Sequence, residues 1–200
     1  MVRAAVQELK TGIQKICEFV PYAEAVPGVP NLRLLKGHGV EDVRDRLLLA
    51  TDSFLFEYRA FLDLLAKFVY GILNGIGKQP QVVQQLSTGE TVRLADSKGR
   101  LRSHDFLLYL CDNLQLPTDW FAFLSIHRNL FTHGATPYCA IEDRLVYLGE
   151  YDVLIMSSNI QDFSVADPKD YFRLSECTAV VAGVRQFGSV VQDYLVSLIR

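Results

Sequence analysis

Between Glu41 and about Asn74 the chain reads as a single long helix with almost no polar face. Its middle, LLLATDSFLFEYRAFLDLLAKFVYGIL, carries apolar residues on nearly every side. A helix apolar all round has to be covered by others, so this stretch predicts the central post of a helical bundle. Its charges are few. Asp52, Arg59, Asp63 and Lys67 fall along one narrow stripe, and both Arg59–Asp63 and Asp63–Lys67 have ion-pair spacing. Glu57 lies off that stripe between Phe56 and Tyr58, where a carboxylate needs a cation. Gly71, Gly75 and Gly77 weaken and end the helix.

The rest of the chain supplies the covering helices. Residues 3 to 20 form an amphipathic pattern with Val6, Leu9, Ile13, Ile16, Phe19 and Val20 near one face, ended by Pro21. Pro21 to Gly39 is punctuated by prolines and glycines and reads as an ordered loop. Ser103 or His104 begins a third helix, with Phe106, Leu107, Leu110 and Leu114 as its core face. A fourth runs from Asp119 to Gly134, and a last one from Asp170 to Ile199. Between these two, Tyr138–Ile141, Arg144–Leu148 and Tyr151–Met156 have strand character. The expected fold is therefore mainly α: one domain over 1–200, about five helices, and a β-hairpin or meander at 138–156 before the C-terminal helix.

Several function classes lose support from composition. A net charge of −3 gives no global attraction to nucleic acid, so an RNA-binding surface has to be local. The one basic excess lies between residues 78 and 102, where Lys78, Arg93, Lys98, Arg100 and Arg102 outnumber Glu90 and Asp96. It reads either as a solvated loop or as a contact to a phosphate backbone. Cys17, Cys111, Cys139 and Cys177 are scattered without a C-x-x-C spacing, which disfavours both zinc and a disulfide framework. Reduced cysteines in a cytoplasmic protein fit better. His104, His127 and His133 include no pair at i,i+4, so no metal site and no cofactor is expected. Charges interrupt the N-terminus too often for a signal peptide, and no apolar run reaches the roughly 18 residues of a membrane span.

The chemistry concentrates in the fourth helix, DWFAFLSIHRNLFTHG. Thr118 or Asp119 is placed to cap its start, and Gly134 to stop it. Trp120, Phe123, Leu124, His127, Leu130 and Phe131 make an apolar face. Ala122, Ser125, Arg128, Asn129 and Thr132 make a small, polar one. An arginine among small residues, with a histidine in the last turn, suits chemistry at a phosphate. The forked, permanently charged guanidinium binds phosphate oxygens, and an imidazole moves protons near neutral pH. The plainer reading is an arginine in an ordinary salt bridge and a histidine at a helix end. His127 lies on the apolar face and reads as a core histidine.

Arg128-Asn129-Leu130-Phe131-Thr132-His133 resembles the Arg-x(4–6)-His motif of the HEPN superfamily, in the form with Asn after Arg. The resemblance extends to a long central helix before the motif and a final helix after it. It implies an all-α bundle and a metal-independent endoribonuclease that uses the ribose 2′-hydroxyl as nucleophile. Arg128 and His133 would then be catalytic, and the site would be composed at the interface of a homodimer. It also implies RNA as substrate, settings such as toxin–antitoxin systems, phage defence and RNA processing, and an antitoxin or regulatory protein as partner. A catalytically silent HEPN-fold module that holds a nucleotide or a protein is the alternative. Asn129 is expected to orient His133, Thr132 to support the motif, and Glu57 to pair with Arg128. Some family members carry a modified Tyr two residues after the motif His; here Ala135 stands there, which speaks against that regulation.

Overall fold

A computed structural model of the chain describes residues 2–28, 31–34, 40–77, 105–114, 118–133, 138–145, 150–156 and 171–199. Within them lie five α-helices: α1 (Val2–Cys17), α2 (Val40–Gly75), α3 (Asp105–Asn113), α4 (Asp119–His133) and α5 (Cys177–Ser197). Five strands join them: β1 (Glu24–Ala25), β2 (Leu32–Leu34), β3 (Tyr138–Leu145), β4 (Glu150–Met156) and β5 (Tyr171–Arg173). The protein is thus mainly helical, with a small antiparallel sheet.

The chain divides into two compact units, Met1–Glu57 with Ser125–Thr178, and Tyr58–Leu124 with Ala179–Arg200. The first holds the sheet, in the order β1-β2-β3-β4-β5 with every pair antiparallel. Val26, Leu32, Ala140, Leu154 and Met156 form its apolar cluster, and Leu34 and Tyr171 pack against them. In the same unit α1 lies close to the start of α2. A Cβ added at Gly12 would stand 2.7 Å from Leu47 Cδ1, so the missing side chain sets how near the two helices come. In the second unit, Tyr70 of α2 meets Phe106 of α3 edge-on at 6.0 Å, and Phe106 meets Tyr194 of α5 at 4.9 Å.

Three expectations change. The Pro21–Gly39 segment contains the hairpin β1–β2 as well as a 3₁₀ turn at Val20–Tyr22. Gly28 (φ 77°) and Asn31 (φ 69°) take left-handed conformations beside Pro27, which fits a tight turn between strands only two and three residues long. The sheet consequently has five strands and draws β2 onto β3 across more than a hundred residues of chain. Secondly, the C-terminal helix begins at Cys177, because residues 171–173 pair with β4 and residues 174–176 make a 3₁₀ turn. The Arg173 amide donates to Glu176 Oε2 at 2.7 Å, which satisfies the backbone donor at the start of the turn. Thirdly, α2 is not covered on all sides: Leu49, Phe56, Phe61, Leu64 and Phe68 are exposed.

Candidate functional site

Helix α4 starts where its sequence says it should. Thr118 is the N-cap: its carbonyl accepts the amides of Phe121 at 2.9 Å and Ala122 at 3.3 Å, and the residue is buried. Trp120, Phe121, Leu124 and His127 then form the buried face. Phe121 belongs to it although the expected face left it out, and Phe123 is only half-buried. Gly183 of α5 makes room for Trp120, since a Cβ at that glycine would collide with the indole ring. The Arg59 guanidinium lies 5.0 Å above the Phe121 ring and donates from Nε to Asp63 Oδ2 at 3.2 Å, the expected i,i+4 pair. The Asp63–Lys67 pair is not formed.

The opposite face carries the motif. Ala122, Ile126 and Asn129 are exposed, and Ser125 and Arg128 are half-buried. Arg128 Nη1 donates to Asn129 Oδ1 at 3.3 Å, so the Asn129 amide oxygen faces the guanidinium. A forked cation is thereby held near the end of the helix. The helix continues to His133. On a regular helix, positions 128 and 133 point about 140° apart, whereas 129 and 133 share a face. The side chains of Thr132 and His133 lie outside the described residues, as does Gly134.

Glu57 does not form the expected pair with Arg128. It is half-buried, its Oε2 is shielded from solvent, and no described residue donates to that oxygen. The positions Lys78, Arg93, Lys98, Arg100 and Arg102, expected to contact RNA, fall outside the described residues.

His127, one position before the arginine, is buried against Phe172 with ring centroids 4.4 Å apart. Burial lowers its pKa to about 4, so it is neutral at physiological pH and is a core residue, as its place on the apolar face indicated. Cysteine chemistry is similarly quiet in the interior, where burial pushes the Cys139 thiol up to about 12 and also raises Cys177.

Two polar clusters in the sheet-bearing unit have no counterpart in the sequence reading. Buried Asp152 accepts the Val153 amide at 2.9 Å, the Ser175 amide at 3.3 Å and the Ser175 hydroxyl at 2.5 Å. Arg173 grips Glu142 with two parallel bonds, Nε to Oε2 at 2.6 Å and Nη2 to Oε1 at 2.8 Å, and the bonded carboxylate raises the arginine's pKa. Their partners lie 23 and 31 residues apart, beyond the reach of any local spacing rule. Both clusters tie β5 and the turn after it to the sheet.

No family model matches the chain, and no curated protein and no solved structure matches it.

Proposed function

We propose that the chain is a metal-independent endoribonuclease of HEPN type, with Arg128 and His133 of α4 as its catalytic pair. The observation that carries this is the Arg128–Asn129 arrangement one turn before the end of a helix whose last residue is His133. The motif, the helical architecture and the exposed Ala122 and Asn129 on the motif face of α4 all support it. In the reaction the ribose 2′-hydroxyl loses its proton and its oxygen bonds to phosphorus. The P–O5′ bond breaks, and the departing oxygen takes up a proton. An imidazole does the proton work, and the guanidinium compensates the charge that gathers on the phosphoryl oxygens.

One histidine does not easily serve as both base and acid in the same step. A two-fold homodimer with the motif helices at or beside its axis would supply two of each group. The 140° divergence of positions 128 and 133 favours the same solution, because a cleft between two copies can take the arginine from one and the histidine from the other. RNA is the substrate in this reading. Cytoplasmic toxin–antitoxin or phage-defence work, with an antitoxin as partner, is the setting that the family resemblance implies. Among the described residues no helix is long and apolar enough to cross a membrane.

Purified protein should cleave single-stranded RNA in EDTA and leave 2′,3′-cyclic phosphate ends. Arg128→Ala or His133→Ala should each lower the rate by about 10² or more. Cleavage that appears only with added divalent metal would overturn the mechanism.

A further inference from the structure

Helices α1 and α2 meet where Gly12 faces Leu47, and a cleft of about 590 Å³ opens beside that contact. Both of its walls lie within the sheet-bearing unit. The volume is in the range of sites that enclose a small molecule. Thr11 and Gly12 of α1 face Val43, Leu49 and Ala50 of α2 across it. Along α2 the lining runs from Asp42 to Ser53, about 16 Å of helix. The cleft is therefore long, and its apolar walls are aliphatic. Among the described residues no aromatic side chain lines it, so a nucleobase or another flat ring has nothing to stack on.

Four charges stand around the cleft, Glu8 and Lys15 on α1 and Asp42 and Arg46 on α2. All four are exposed, and none makes a hydrogen bond or ion pair with a described residue. Their positions differ by sign. Arg46 is one residue and Lys15 three from the contact between Gly12 and Leu47, whereas Glu8 is four and Asp42 five. The cations also have the longer stems, which lie along apolar surface while the charged end reaches outward. One cation from each helix can therefore serve a single head group over the middle of the cleft. The shorter carboxylates stay toward its ends.

We propose that this cleft binds an aliphatic carboxylate, its head group held by Arg46 and Lys15 and its chain laid along Val43, Leu49 and Ala50. The forked guanidinium matches the two carboxylate oxygens, and the ammonium adds a second charge-assisted bond from the other helix. The chain covers aliphatic wall that is otherwise wet, including Leu49, which is 66% exposed. Glu8 and Asp42 repel a second negative charge, which selects a single carboxylate over a polyanion such as RNA or a nucleoside triphosphate.

The site does not depend on the ribonuclease reading, because it is read as heat of binding in the absence of RNA. Calorimetric titration of the full chain with sodium decanoate, kept below micelle formation, should show one site per chain with a Kd below about 1 mM. Butyrate has the same head group without the chain, and decyltrimethylammonium the same chain with the opposite charge. Each should bind about tenfold more weakly or worse. Arg46→Glu and Leu49→Glu, both at exposed positions, should each weaken decanoate about tenfold or more and leave melting curves close to the parent. Lys15→Glu combined with Arg46→Glu should reverse the preference, so that decyltrimethylammonium binds more tightly than decanoate. A loss of folding does not produce that reversal. Absence of decanoate binding at about ten times the expected Kd overturns the proposal. So does butyrate or decyltrimethylammonium binding as well as decanoate, or a double variant that still prefers decanoate. Decanoate binding without RNA cleavage would sink only the ribonuclease reading, and cleavage without decanoate binding only this one.

Discussion

His127 and Arg128 are neighbours in sequence with opposite fates, decided by where the helix turns each of them. The histidine faces Phe172 and is held neutral, and the arginine lies half-open beside Asn129. Because the folded pKa of His127, about 4, lies below the ordinary value of 6.5, its contribution to stability is complete above pH 6.5 and is lost as pH falls toward 4. A thermal melt series should therefore show Tm declining over that window, and His127→Phe should flatten the decline by on the order of 1 kcal/mol after allowing for partial solvation. An unchanged pH slope in the variant would contradict the assignment. The identity of this core histidine was legible because helical periodicity alone sorts it from Arg128. The Glu57 pairing was not, because the rule that a carboxylate among aromatics needs a cation does not say which cation can reach it.

At the level of elements, two close fits carry testable energy. In a helix interior alanine is favoured over glycine by about 1 kcal/mol. At Gly183 of α5 the added methyl would fall within the Trp120 indole, and such overpacking costs about 1–3 kcal/mol. The clash should win: Gly183→Ala is expected to lower the urea midpoint, whereas Gly188→Ala, where a Cβ meets nothing, should not. In the sheet, Asp152→Ala would leave the Ser175 hydroxyl and two amides without their acceptor. It should cost about 2 kcal/mol, measured by the same titration. The long helices could be read from the sequence, since periods of three and four residues accumulate over many turns. Strands β1, β2 and β5 could not. Each has two or three residues, too short for alternation to show, and each exists only because it adds to an edge built from distant chain. Similarly, a continuous apolar helix suggested complete burial for α2, but the sequence does not reveal that one side stays open.

For the whole molecule, the central claim is that Arg128 and His133 act together at a site that two copies complete. Asn129 at 3.3 Å from the guanidinium, the helix that ends at His133 and the divergence of positions 128 and 133 all bear on it. The most direct measurement mixes two inactive proteins. His133→Ala chains and Arg128→Ala chains, each unable to cleave single-stranded RNA in EDTA alone, are combined and allowed to exchange subunits. The account predicts that cleavage returns in part in the mixture, with 2′,3′-cyclic phosphate ends, because a mixed dimer brings one intact arginine and one intact histidine into the same cleft while the second histidine is missing. A mixture as inactive as either parent, under conditions where the unmutated protein cleaves, would contradict it.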